Sequence, residues 1–139
     1  MLVADLLDGN LEHYKTAIEH TFSSRYAQYK KAIFLGRHMS YPFAMEAALK
    51  LKEIAYIFSQ CYPAGELKHG PLALVDAQTP IFVFSYDDPI IYQKLLSNTQ
   101  EAKARGGHIV VFAFEGQDEL CEIADCVFIF PRVKSLLGP

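Results

Sequence analysis

The sequence lacks three features that mark specialised classes of protein. It has no excess of positive charge, because 13 Lys and Arg stand against 16 Asp and Glu, so neither a nucleic acid nor an acidic membrane surface is an expected partner. Its apolar runs are far shorter than the roughly 20 residues of a membrane-spanning helix. Three cysteines without metal-ligand spacing favour buried thiols in a reducing, cytoplasmic environment, with no metal site.

What is present is typical of a single globular domain. The 139 residues are 51% hydrophobic and 21% charged, enough for one sizeable core. We expect one domain over residues 1–139, with an irregular lead-in at 1–9. The chain stops shortly after its last predicted strand, so we also expect it to be a piece of a larger multidomain enzyme.

Helical and extended patterns alternate along the chain. Helical spacing predicts helices over 10–30, 41–58, 89–105 and 118–124, and Asp88 should cap the third. Continuous apolar runs predict four strands, at 32–36, 80–86, 108–114 and 126–130. This alternation predicts an α/β fold: a three-layer αβα sandwich with a doubly wound, mainly parallel sheet. In such folds ligands bind beyond the carboxyl ends of the strands, here the Gly36-Arg37 turn and the loop after Tyr86.

The predicted helix at 41–58 is apolar around most of its circumference. One broad face should pack on the sheet, and it comprises Ala44, Ala47, Ala48, Leu51, Ile54, Ala55 and Phe58. Met45, Leu49 and Tyr56 extend the apolar surface along the flank. We therefore expect this helix to be buried or covered by another domain or subunit.

Glu46, Lys50 and Glu53 form a charged stripe on the opposite side of that helix. Two interpretations are open. The stripe is an ordinary surface pairing at i, i+4 spacing, or it holds an acid and a base beside a covered pocket, where neighbouring charge and desolvation adjust pKa values for proton transfer.

The segment YPAGELKHGPLAL (62–74) predicts a defined loop, since Gly65, Gly70 and Pro71 shape its backbone. It carries Lys68 and His69. Histidine has the unperturbed side-chain pKa nearest neutrality and serves readily as an acid or a base. A lone histidine is more often a surface or capping residue, but the shaped loop around His69 favours a proton-transfer role.

Residues 36–75 resemble one enzyme family closely. The pattern GR-x4-P-x-A-x-E-x-ALKLKE and the block AGELKHGPLAL are similar to the second sugar-isomerase (SIS) lobe of glutamine–fructose-6-phosphate aminotransferases, also called glucosamine-6-phosphate synthases. ARGG before the third predicted strand also fits. The resemblance spans about residues 10–135. It implies a flavodoxin-like SIS domain in an enzyme of amino-sugar biosynthesis that makes glucosamine 6-phosphate from fructose 6-phosphate and glutamine.

The resemblance also implies roles for individual residues. Glu53 matches the base that moves a proton between C1 and C2 of the sugar, and Lys50 matches a lysine that assists it. His69 matches the histidine that opens the sugar ring and reaches the partner subunit's active site, which implies a homodimer. Glu46 and Lys68 are expected to support substrate binding. A phosphorylated hexose is the implied substrate, and the proton transfers need no cofactor or metal.

Other family parts have no counterpart in this sequence. The glutaminase domain with its N-terminal cysteine, the first lobe with its Ser/Thr-rich phosphate loop, and the tail lysine that forms an imine are all missing. We therefore expect the piece alone to be inactive. Alternatives are a stand-alone phosphosugar-binding SIS module, a ketosamine deglycase or amino-sugar deaminase, and a phosphoacceptor domain suggested by Asp87-Asp88.

Overall fold

The computed structural model describes residue 26 and residues 28–132. In chain order the main elements are β1 (Lys31–Gly36), α1 (Ser40–Ala55), β2 (Phe58–Pro63), β3 (Pro80–Phe84), α2 (Pro89–Ala104), β4 (His108–Phe114), α3 (Asp118–Ile123) and β5 (Cys126–Phe130). Two short 3-10 helices, Ala64–Glu66 and Pro71–Leu74, lie between β2 and β3.

The strands form one parallel sheet in the order β2-β1-β3-β4-β5. This is the flavodoxin-like strand order, which has its switch point between β1 and β3. The predicted α/β class and parallel sheet are confirmed.

Alternate strand residues supply two separate cores, one on each face of the sheet. Leu35, Ile81 and Val111 pack with α2, α3 and the segment after β2 on the first face. Phe34, Phe82 and Val110 pack with α1 and Tyr26 on the second face. The sheet is therefore covered on both faces, which confirms the three-layer sandwich.

The predicted helix over 41–58 is wrong at its C-terminal end. Helix α1 stops at Ala55, Tyr56 adopts a left-handed conformation with φ of 55°, and Phe58 begins strand β2. The helical spacing of apolar residues continues past Ala55 into strand β2. The sequence pattern therefore does not show where the helix ends. A fifth strand, β2, was consequently missed, and the segment that includes Tyr62 and Pro63 begins in this strand and not in a loop.

The predicted packing face of α1 is right at its centre and wrong at its end. Ala44 and Ala48 are buried against the sheet, whereas Ile54 is 75% exposed and Phe58 is 64% exposed. The last turn of α1 lies beyond the edge of the second core. Several other large apolar side chains on this side of the molecule are also exposed: Phe43, Met45, Leu49 and Tyr56.

The predicted elements from Pro80 onward agree closely with the structure. Asp88 accepts hydrogen bonds from the backbone N–H groups of Ile90 and Ile91 and so caps α2, with Pro89 in the first turn.

The predicted helix over 10–30 lies outside the described residues for most of its length, and residues 28–30 form a turn and a bend.

Candidate active site

Three of the four charged residues of α1, Glu46, Lys50 and Glu53, form one ion-pair cluster. Lys50 Nζ lies 2.9 Å from Glu53 Oε2 and 3.5 Å from Glu46 Oε1. The spacings i, i+3 and i, i+4 place the three side chains on one helical face. The sequence-predicted acid and base are therefore neighbours, with the lysine between the two carboxylates.

The two carboxylates keep Lys50 protonated. The hydrogen bond to Glu53, followed by the charges of Glu53 and Glu46, raises the pKa of Lys50 above its ordinary value. A lysine with a raised pKa is a proton donor or a fixed positive charge and a poor base at neutral pH. The groups of this cluster that could accept a proton at neutral pH are therefore the two carboxylates.

Solvent still reaches this pair. The side chains of Lys50 and Glu53 are each 52% exposed, whereas proton-transfer catalysis gains most from a site that excludes water. Beside the stripe, a groove of about 440 Å³ runs between α1 and β2 and is lined by residues such as Met45, Glu46, Leu49 and Cys61. Another domain or subunit would have to pack on this side of the molecule to exclude water from Lys50 and Glu53.

The loop that carries His69 is fixed at its start and exposed at its tip. Ala64 and Leu67 are 0% and 1% exposed and belong to the first core. Lys68, His69 and Gly70 are exposed. Gly70 has φ of 135°, a conformation that side chains disfavour. The predicted shaped loop is present, and its histidine is accessible.

His69 and the Lys50–Glu53 pair belong to opposite layers of the sandwich. The loop packs into the first core and α1 covers the second. Among the hydrogen bonds and ion pairs of the described residues, none joins His69 or Lys68 to the α1 stripe. Five predicted site residues thus form two groups: Glu46, Lys50 and Glu53 on α1, and Lys68 and His69 on the loop.

The expected position at the switch point is tightly closed around Gly36. Arg37 N–H donates to Ser40 Oγ, and the N–H groups of Ser40 and Tyr41 donate to Arg37 O and His38 O. These bonds occupy the N-terminal groups of α1 that would otherwise bind an anion. None of the five predicted site residues lies in this turn.

Two loop contacts carry no signal in the sequence. Asn98 Nδ2, on α2, donates to Ala64 O at 2.6 Å. A Cβ atom at Gly65 would come within 2.9 Å of Arg37 Nη1, so the guanidinium lies directly against that glycine. An asparagine inside a helix and an arginine after a strand are common, and only the tertiary structure shows that both contact the loop.

Neither a metal centre nor a membrane span is found in the described part of the chain. No group of three His, Cys, Asp or Glu residues there is arranged to hold a metal ion. None of the helices in that part is long and apolar enough to cross a membrane.

Comparison with known proteins decides the family. The model of the SIS domain matches residues 25–135. The chain belongs to the SIS domain family. This SIS domain is 48% identical over 117 residues to glutamine–fructose-6-phosphate aminotransferase [isomerizing] of Thermus thermophilus, a match that covers 84% of the chain and 19% of that relative. The chain thus spans about one fifth of the length of the curated relatives it matches.

Solved structures support the same assignment. The C-terminal domain of glucosamine-fructose-6-phosphate aminotransferase from Francisella tularensis superposes with a TM-score of 0.72 at 42% identity, covering 88% of this SIS domain and 32% of that chain. The sugar isomerase domain of an RpiR transcription factor from Sphaerobacter thermophilus gives a TM-score of 0.65 at 17% identity, over 86% of this chain and 63% of that one. The second match shows a shared fold only.

Proposed function

We propose that this SIS domain is a sugar-isomerase lobe of a glucosamine-6-phosphate synthase. The full-length protein would convert fructose 6-phosphate and glutamine to glucosamine 6-phosphate and glutamate in the cytoplasm. One observation carries the proposal: a lysine–glutamate pair at 2.9 Å lies on the helix of a chain that is 48% identical to an isomerising aminotransferase. The pair supplies the acid and base that a 1,2-proton shift requires.

The charges of the α1 stripe suggest a division of roles. Lys50, held protonated by its two neighbours, stabilises the negative charge that develops on the sugar oxygen as the proton leaves carbon. Glu53 removes the proton from one carbon and returns it to the other. Glu46 helps to keep Lys50 charged and in place. None of these steps requires a resident cofactor or metal.

His69 completes the site from a second subunit. Two points support this: His69 lies on the opposite layer from α1, so one chain does not bring it to the α1 stripe, and the family resemblance implies that this histidine reaches the partner's active site. A homodimer in which each loop reaches the other chain would bring His69 to the sugar ring oxygen. There it would donate a proton as the ring opens, and Lys68 would contact the substrate phosphate or hydroxyl groups.

The experiment is a substitution of the base in the full-length protein. Glu53→Gln keeps the size of the side chain but removes its basicity, so sugar isomerisation should fall by about 100-fold or more, while glutamine hydrolysis persists. Glu101→Gln, an exposed carboxylate on α2, is the matched control and should retain both activities. Unchanged synthesis by the Glu53 variant would exclude Glu53 as the base.

The second candidate is a phosphosugar-binding module without chemistry, which the fold shared with a transcription factor's sugar isomerase domain allows. Isothermal titration calorimetry with fructose 6-phosphate separates the two. A catalytic lobe that shares its substrate site with other domains should bind weakly when isolated, with Kd in the millimolar range or above. Micromolar affinity of the isolated domain would favour the binding module.

A further inference from the structure

The loop that presents His69 is anchored in the first core on both sides of its exposed tip. Its first 3-10 turn closes through Leu67 N–H to Ala64 O at 3.3 Å and His69 N–H to Glu66 O at 3.0 Å. Leu72 N–H then returns to Leu67 O at 2.8 Å. Ala64 and Leu67 are buried in the core before the exposed tip, and Leu72 packs against the same core after it, so the orientation of the tip depends on how these residues are held.

Asn98 holds the first of them. Its amide nitrogen donates to Ala64 O at 2.6 Å across 34 residues of sequence. Because only the NH₂ group of an asparagine can donate to a carbonyl, the orientation of this amide is determined by the bond. On either side of Asn98, Leu95 and Thr99 are fully buried and fix the helix surface from which the side chain projects.

The carbonyl of Ala64 therefore accepts two hydrogen bonds. It closes the turn toward Leu67 and accepts from α2, and Ala64 itself is fully buried. Loss of the α2 donor would leave this buried carbonyl with the longer 3.3 Å bond alone, and an incompletely satisfied buried acceptor favours rearrangement of its segment. His69 is five residues further along the same turn.

We propose that Asn98 is a positioning residue for His69. It acts through the Ala64 carbonyl, fixes the start of the loop and thereby aims the histidine away from its own chain toward the substrate in the partner's site. This inference rests on the proposed function, because it assigns Asn98 a part in the ring-opening step. A side chain of similar volume without a donor, such as leucine, would fill the space but leave the loop free to shift.

A double-mutant cycle in the full-length protein tests the proposal. His69→Ala should lower kcat by about 100-fold, the usual contribution of a general acid. Asn98→Leu and Asn98→Asp should each lower kcat by about 10-fold, since a displacement near 1 Å can reduce the rate strongly. In the His69→Ala background either Asn98 substitution should cost less than about 2-fold, because residues that act as a unit are not additive.

The control is Gln93→Ala, an exposed residue of the same helix, which should leave kcat within about 2-fold of the parent value in line with other surface substitutions. Hydrogen exchange provides a second measurement on any folded variant. The amides of His69, Leu72 and Ala73 should exchange faster in Asn98→Asp than in the parent protein.

Three results would overturn the assignment of Asn98. They are unchanged kcat in both Asn98 variants, an equal loss from Asn98→Leu with and without His69, and full activity of His69→Ala. A failure of the proposed function would give a different result. Synthesis of glucosamine 6-phosphate would then persist in the Glu53→Gln variant, whatever the effect of the Asn98 substitutions.

Discussion

Gly36 is the residue at which the carboxyl end of β1 and the start of α1 approach most closely. A Cβ atom there would lie 2.6 Å from Tyr41 Cα and 2.7 Å from Ser40 O. Both atoms belong to the backbone, so the clash could be relieved only by moving the chain itself. Gly36, in the turn where the sequence predicts a ligand position, is therefore required by the packing of β1 against the start of α1.

Gly36→Ala should accordingly destabilise the domain. We expect a loss of about 1–3 kcal/mol in the free energy of unfolding, the usual range for an overpacked site, measured by urea denaturation. Ser97→Ala, at an exposed position of α2, is the control and should change this free energy by less than about 0.5 kcal/mol. Equal stability of the two variants would mean that the turn can relax.

Asp76 links the end of the His69 loop to the first strand. Its carboxylate accepts from Lys31 Nζ at 2.8 Å and from Thr79 Oγ1 at 2.6 Å. The hydrogen bond from Lys31, followed by that from Thr79, lowers the pKa of Asp76 from 3.8 to about 2. Because the folded-state pKa is depressed, these bonds stabilise the fold fully above pH 3.8 and lose their effect as the pH falls toward 2.

NMR titration of the Asp76 carboxyl carbon measures this directly. In the parent domain the midpoint should lie at about 2. In Lys31→Met, which removes the first cause of the shift, it should move up toward 3.8. Lys94→Met, at an exposed position on α2, should leave the midpoint unchanged. A midpoint of 3.8 already in the parent would show that the Lys31–Asp76 pair is not formed in solution.

The boundary between α1 and β2 is the part of the secondary structure that the sequence predicted least accurately. Strands β1, β3, β4 and β5 are nearly continuous apolar runs, because both faces of a parallel sheet are buried, and their predicted bounds agree with the structure to within two residues. Strand β2 forms one end of the sheet and alternates exposed and buried residues in FSQ. That pattern is too short to separate from the helical spacing that precedes it.

Tyr56 marks this junction and can be tested alone. It has φ of 55° and is 91% exposed, so its side chain contributes little packing while its backbone is disfavoured. Tyr56→Gly should raise the free energy of unfolding by about 0.5–1 kcal/mol because glycine adopts this conformation readily. Tyr56→Ala removes the same side chain without easing the backbone and should give no such gain. Urea denaturation of the two variants separates backbone strain from side-chain effects.

At the scale of the whole molecule, the sequence predicted the candidate site in part. The α1 stripe could be predicted because i, i+3 and i, i+4 spacing determines which side chains of a helix meet. The separation of His69 from that stripe could not, because it depends on which face of the sheet the segment after β2 packs against. The contacts of Asn98 and Arg37 with the loop depend on the same tertiary choice.

The exposed apolar side chains of α1 predict self-association. Phe43 is 67% exposed, Met45 49% and Leu49 42%, and large exposed apolar side chains on one element favour an interface. We expect light scattering to give a dimer mass for the domain and a monomer mass after Phe43→Glu with Leu49→Glu. A double substitution to glutamate at exposed Gln93 and Lys94 of α2 should remain dimeric. A monomeric parent domain would contradict the expectation.

The placement of Glu53 and His69 on opposite layers has a genetic consequence. If each site takes Glu53 from one chain and His69 from its partner, two inactive proteins can complement each other. A mixed dimer of Glu53→Gln and His69→Ala chains concentrates both defects in one site and leaves the other intact. When equal amounts of the two chains reassort at random, about half of the dimers are mixed and each has one intact site, so roughly one quarter of the parental turnover should return. If each site were contained within a single chain, every mixture would be inactive.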